Sequence, residues 1–186
     1  LKKCLLVLFG KTGAGKSYAA EIFAQKFGFY LYDADRDLTA EMRQAIADGL
    51  TFNDGMRDRY VEILWKKTAE LLNENSKVVL AQGLFKNKHR RILMEAFPFA
   101  VFVWVDADDR LIEERITKRS GSVTLEYARR INPLFETPDF ECEKIINNGG
   151  AEELVSEVSK IVAKKSYDPT IFWPEFFYGI IKRKGN

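Results

Sequence analysis

Eight residues near the start of the chain, Gly10-Lys11-Thr12-Gly13-Ala14-Gly15-Lys16-Ser17, leave few folds open. They satisfy G-x-x-x-x-G-K-[ST] at every fixed position, the pattern of a loop that cradles phosphate. Glycine lets the backbone wrap an anion with successive N–H groups pointing inward and no Cβ in the way. A helix beginning near Gly15 adds unpaired N–H groups and its N-terminal dipole. In such a loop Lys16 reaches the β- and γ-phosphates and the Ser17 hydroxyl ligates Mg²⁺. The context agrees. Residues 5–9 are a short continuous apolar run, and Ala19, Ala20, Ile22, Phe23, Ala24 and Phe27 follow the loop on one helical side. The expected nucleotide-binding set is therefore Gly10, Thr12, Gly13, Ala14, Gly15, Lys16, Ser17 and Tyr18, with ATP and Mg²⁺ as ligands.

Strand, turn and helix then alternate along the chain. Further strands are expected at 29–32, 77–81, 99–105 and 144–147. Helices are expected at 39–47 with Thr39 as N-cap, from Asn53 or Asp54 to 74, and at 86–96, 108–118, 123–130 and 151–164. The alternation predicts an α/β fold, a three-layer α/β/α sandwich on a five-stranded parallel sheet. A length of 186 residues suits one domain, and an apolar fraction of 46% is enough for a core. The expected division is a domain at 1–165, with a lid at about 119–131, and a tail at 166–186. The tail joins aromatic Phe172, Trp173, Phe176, Phe177 and Tyr178 to basic Lys182-Arg183-Lys184. It either packs back onto the domain or meets a partner or membrane surface.

Several function classes are disfavoured. Against 29 basic residues stand 27 acidic ones, so nothing electrostatic argues for a duplex nucleic-acid partner. Cys4 and Cys142 have neither metal-ligand nor redox spacing and read as reduced thiols of a cytoplasmic protein. The basic-then-apolar start is followed by a glycine-rich turn rather than a small-residue cleavage site, so a strand is the better reading. No apolar run approaches the roughly 20 residues of a membrane span. A small-molecule acceptor is the expected partner, and a homodimer is left open.

The loop alone does not separate kinases from GTPase switches, helicases or transporters. No N-K-x-D signature is present, and no D-x-x-G follows the third strand. That strand ends Val78-Val79-Leu80-Ala81-Gln82-Gly83, without the acid that motor and transporter ATPases place there. The acids lie after the second strand, at Asp33 and Asp35. Strand C-termini line the crevice of a parallel sheet, and alternate residues of an extended segment point the same way. Both carboxylates are thus expected to face the site, Asp33 towards hydrated Mg²⁺ and Asp35 towards an acceptor hydroxyl. The competing reading is that they cap a surface turn.

Beyond the loop, Asp33-Ala34-Asp35 and the stretch from Met42 to Leu50 resemble the gluconate-kinase segment in which D-x-D precedes K-M-x-x-G-x-P-L. Asp54 and Arg57 match the D-x-D-R that follows it, and Val78 to Leu84 resembles V-V-A-C-S-A-L. Leu111 to Gly121 matches L-I-x-x-R-L-x-x-R-x-G, the entrance to a lid. Over residues 5–148 the chain resembles the gluconate kinase and shikimate kinase group of the nucleoside-monophosphate-kinase-like fold. The resemblance implies transfer of the ATP γ-phosphoryl group to a hydroxyl of a sugar acid or polyol. It implies Arg57 against the acceptor, Gly83 offering close backbone approach, and Arg115 and Arg119 over adenine and the transferring phosphate. A cation there neutralises charge spread over the phosphoryl oxygens. The catalytic set becomes Lys16, Asp33, Asp35 and Arg119, and the metal set Ser17 and Asp33. Arg115 joins the nucleotide set; Asp35, Arg57, Gly83 and Arg130 form the acceptor set. Alternatively, Arg115 and Arg119 form a solvated network with Glu113 and Glu114.

The departures fall where an acceptor would be recognised. Ser122-Val123-Thr124 stands where gluconate kinases carry H-F-M, Phe85 where a lysine is expected, and Arg36-Asp37 where H-P follows the D-x-D. Arg129 to Phe135 resembles the shikimate-kinase R-x-P-L-Y, offset by one residue. Two other readings stand beside the sugar-acid kinase. One is a kinase for a nucleotide, nucleoside or polynucleotide 5′-hydroxyl; the other is an ATP-binding module without turnover. His89, in a basic run, reads as a solvated or packing residue.

Overall fold

The first strand, β1 (Cys4–Phe9), has no polar face: Leu5 to Phe9 are all buried. Only a strand covered on both sides can use such a run. In the computed structural model, which describes residues 3–119 and 123–166, its residues divide by parity. Leu5, Val7 and Phe9 enter one core cluster, and Leu6 and Leu8 enter the other. β1 is the middle of a sheet ordered β2 (Tyr30–Asp33), β3 (Lys77–Ala81), β1, β4 (Val101–Asp106), β5 (Glu143–Ile146). Every pairing is parallel, with Leu6 beside Val79 on one flank and Val101 on the other.

Helices cover both faces. Over Leu6 and Leu8 lie Ala20 and Phe23 of α1 (Lys16–Phe27), Ile112 and Ile116 of α5 (Asp109–Lys118), and Leu154 and Val158 of α7 (Ala151–Ser166). Over the other face lie Met42 of α2 (Ala40–Ala47), Tyr60, Leu64 and Leu71 of α3 (Asp54–Glu74), and Leu93 of α4 (Asn87–Ala96). Each fully buried leucine contributes about 1.5–3 kcal/mol of transfer free energy. The remaining helix, α6 (Leu125–Ile131), sends Tyr127 and Ile131 into a small third cluster with Phe85. The expected three-layer sandwich on a five-stranded parallel sheet is what the chain forms.

Helix starts obey the capping chemistry of the sequence. Thr39 accepts a hydrogen bond from Met42 N (3.1 Å) and Asn53 from Met56 N (2.9 Å). Boundaries shift by one or two residues elsewhere. Residues 99 and 100 stay outside β4 because Ala100 N turns back to Phe97 O (2.9 Å). From β1 the chain crosses to β2 at one edge, and after β3 it crosses to β4 on the far side of β1. Connections that leave in opposite directions open a crevice at the strand C-termini. Residues 120–122 of the expected lid and 167–186 of the expected tail lie outside the described residues.

Candidate active site

Two glycines of the phosphate loop stand where a side chain has no room. Gly10 has φ 154°, and a Cβ there would fall 2.1 Å from the Val105 carbonyl oxygen. Gly15 has φ 96°, and its Cβ would fall 2.1 Å from Asn147 Nδ2. Gly15 is also the N-cap of α1, where no side chain accepts from the first turn and no acid lies within it. The helix terminus is left with its orphan N–H groups and an unopposed positive end, which is what an anion needs. Two amides from outside the loop hold its shape. Asn147 donates to Ala14 O (2.9 Å), while Asn132 accepts from Thr12 N (2.9 Å) and donates to Thr12 O (3.1 Å).

Lys16 extends back over the loop and donates to Lys11 O at 2.9 Å. Burial pushes its pKa down to about 8; Asp35 opposes the shift, Arg119 deepens it, and Asp33 opposes it. A desolvated cation without a carboxylate in contact is poised for an incoming anion. Ser17 and Tyr18 are exposed on the same helix start and line the cavity described next. Lys11 points elsewhere, to Asp109 at 2.6 Å.

The expectation for the two acids needs correction. The chain does not remain extended past Asp33: residues Ala34–Asp37 form a 3₁₀ turn. Asp33 caps that turn, accepting from Asp35 N at 3.3 Å. The alternation argument fails because the backbone leaves the strand one residue too early. Asp35 lines the cavity and accepts from Gln82 Nε2 (3.1 Å), whereas Asp33 is not among the lining residues.

A cavity of about 700 Å³ runs from the phosphate loop to the space between α2, α3 and α6. Thr12, Gly13, Gly15, Lys16 and Ser17 line one end, with Arg115 and Arg119 above them. Arg115 Nη2 donates to Asn147 O (2.8 Å), and its Nη1 is buried with no hydrogen-bond partner among the described residues. The solvated network with Glu113 and Glu114 does not form. Glu113 pairs with Arg129 (2.6 Å) and Glu114 with Arg110 (3.2 Å). Arg57 lines the other end, its Nε donating to Phe52 O (3.2 Å).

Two expected acceptor residues are placed differently. Gly83 lines the cavity, but its N–H is taken by the side-chain oxygen of Gln82, and its carbonyl accepts from Gly10 N (3.3 Å). Its close approach is thus to the phosphate loop. Arg130 lies off the cavity wall; it donates to Gly49 O and pairs with Glu126 (2.9 Å), an i,i+4 partner on its own helix. His89 is buried rather than solvated, with Nε2 at 2.7 Å from Asp58 Oδ1.

Sequence reasoning missed two residues that shape the site. Gln82 bonds Asp35, the Tyr60 hydroxyl (2.8 Å) and Gly83 N, so it ties the ends of β2 and β3 to α3. A polar residue ending an apolar strand was the available signal. Arg90 is fully buried, its guanidinium 4.6 Å from both the Phe9 and Phe135 rings. It donates to Leu84 O (2.7 Å), Phe85 O (3.2 Å), Glu136 O (2.8 Å) and Asn87 Oδ1 (2.5 Å). Leu84 holds a left-handed φ of 44°, so Arg90 anchors a strained turn. In the sequence it was hidden inside Lys86-Asn87-Lys88-His89-Arg90-Arg91.

Comparison with known proteins agrees with this geometry. The thermosensitive gluconokinase of Escherichia coli (strain K12) is 25% identical over 115 residues, which are 62% of this chain and 62% of that protein. The match thus spans about three fifths of that curated relative's length. A sugar kinase from Janibacter sp. superposes with a TM-score of 0.76 at 18% identity, covering 94% of this chain and 100% of that one. A gluconokinase from Sinorhizobium meliloti 1021 gives 0.72 at 18%, covering 89% and 97%. The fold is that of phosphate-loop kinases. The AAA domain family model matches residues 5–144, and this chain belongs to the AAA domain family.

Proposed function

We propose that the chain is an ATP-dependent phosphotransferase that passes the γ-phosphoryl group to a hydroxyl of a small metabolite. The observation that carries this reading is one cavity with a desolvated lysine at its phosphate end and, on the same wall, the Asp35 carboxylate, which has no ion-pair contact among the described residues. The named kinases among the relatives and neighbours support it; a sugar acid is the acceptor that the resemblance alone implies.

The loop N–H groups and Lys16 bind the triphosphate. Arg115 takes the adenine side, and Arg119 faces the charge that develops on the transferring group. Ser17 Oγ, on the cavity wall, is the hard oxygen donor that would hold Mg²⁺ beside the phosphates; Asp33, capping its turn off that wall, is not assigned to it. When bound, Mg²⁺ neutralises charge on the phosphate oxygens. Asp35 accepts the proton of the acceptor hydroxyl as its oxygen bonds the γ-phosphorus and the bond to the ADP oxygen breaks. Most of the acceleration comes from holding these groups in line.

An ADP-release assay against gluconate, shikimate, polyols and nucleosides tests the reading. An acceptor from this panel should raise ADP release well above slow hydrolysis. Asp35→Asn should cut that rate by about 10²-fold while calorimetry finds ATP affinity unchanged. ATP association with no acceptor-dependent turnover would favour a binding module instead.

A further inference from the structure

We infer that the acceptor is an alcohol built on an apolar or aromatic body with a single anionic group, not an open-chain polyol. This rests on the kinase reading above and comes from a census of what the acceptor end leaves free.

Most polar side chains there are already committed. Gln82 donates to Asp35 and the Tyr60 hydroxyl and accepts from Gly83 N–H. Tyr60 donates to Ala34 O, and His89 Nε2 is held by Asp58. Arg43 stands exposed on the rim, with Nη1 on Arg36 O (3.3 Å). Among the described residues this leaves, inside the rim, the Asp35 carboxylate, the two terminal nitrogens of Arg57, the Tyr127 hydroxyl and the second ring nitrogen of His89, while Arg43 keeps its other nitrogens at the rim. Tyr127 lies within electrostatic reach of both Arg57 and Asp35. The rest of the wall is largely apolar, with Met42, Ile46, Phe52, Phe85 and Ile131 among its residues.

Such a wall discriminates. A polyol carries a hydroxyl on every carbon, and each one pressed against Phe52, Phe85 or Ile131 would lose water and gain no partner. A flat body loses nothing there, and aromatic faces add offset or edge-on contact. The Arg57 guanidinium sits 5.8 Å from the Phe52 ring centre and 5.9 Å from that of Phe85. Packed between the rings, it offers a fork to a carboxylate or phosphate with little ordering left to do. Tyr127 can donate to the same anion. Asp35, on the phosphate side, receives the hydroxyl.

The test uses the full chain, saturating Mg²⁺–ATP and three matched acceptors: gluconate, 4-(hydroxymethyl)benzoate and benzyl alcohol. Calorimetry of Mg²⁺–ATP binding runs on every preparation. The hydroxymethylbenzoate should exceed gluconate in kcat/KM by at least about tenfold and benzyl alcohol by a similar factor. Arg57→Met should erase the preference for the benzoate over benzyl alcohol, and Arg57→Lys should restore part of it, with ATP affinity unmoved in both. Gluconate turned over as well as the benzoate would overturn the inference and leave the kinase reading standing, whereas ATP binding with no response to any of the three would overturn both. Benzyl alcohol matching the benzoate would overturn its anionic part. No ATP association would instead remove the kinase reading itself.

Discussion

The two ends of the cavity are built on opposite principles. The phosphate end is mainly backbone: glycines with no room for a Cβ, an uncapped helix start and two buttressing amides. The acceptor end is side chain: aromatic and aliphatic walls from α2, α3 and α6, with polar groups largely spent on one another. Backbone N–H groups see only charge and shape, so the first end suits any nucleoside triphosphate. The choice of acceptor falls to the second, where wall side chains such as Phe52 and Ile46 can vary without touching the loop.

Lys16→Ala is the severest way to try that contrast. Removing the half-buried Lys16 ammonium of the phosphate end should cut acceptor-dependent ADP release by about 10²–10³-fold and leave the circular dichroism spectrum unchanged. Comparable losses from single acceptor-wall truncations would mean the two ends are not separable. Next comes Arg90→Met. It leaves the Leu84, Phe85 and Glu136 carbonyls short of a donor and frees the left-handed turn. The expected cost is about 3 kcal/mol of stability, read as a urea midpoint shift. Because Arg90 touches the turn before Phe85, surviving protein should lose acceptor affinity before ATP affinity.

The lysine also sets a pH dependence confined to one end. Its pKa in the ligand-free protein lies near 8, below the usual lysine value, chiefly through burial. The cation that binds phosphate is therefore present below pH 8 and lost as pH rises through it. ATP affinity should fall about tenfold per pH unit above that point, and Lys16→Arg, charged throughout, should flatten the profile. A flat wild-type profile would mean the loop backbone carries the triphosphate alone.

How far each end could be read from the sequence follows from the same division. Glycine and lysine spacing in residues 10–17 encodes local backbone geometry, so the phosphate end is legible, as are the apolar runs of the strands and the caps Thr39 and Asn53. Asp33 and Asp35 were legible as a pair but not in their orientation, because a 3₁₀ turn replaces the extended backbone between them. Arg130 was misplaced for a similar reason: its carbonyl partner, Gly49, lies far off in sequence. The acceptor wall was invisible as a wall, since Phe52, Phe85 and Tyr127 meet only after three helices pack. No periodicity reports a contact made by tertiary structure alone.

Asn132 joins the two ends and gives the smallest and most discriminating effect. It follows α6, whose Tyr127 and Ile131 face the acceptor, yet both of its side-chain bonds go to Thr12 in the phosphate loop. Asn132→Ala removes two partly buried hydrogen bonds, each worth about 1 kcal/mol net, partly replaced by water. If the ends are built independently, the ATP dissociation constant should rise about three- to tenfold and the acceptor KM should hold. Equal movement of both constants would show that α6 transmits loop position to the acceptor wall. The cavity would then be a single unit, and acceptor choice would depend on whether nucleotide is bound.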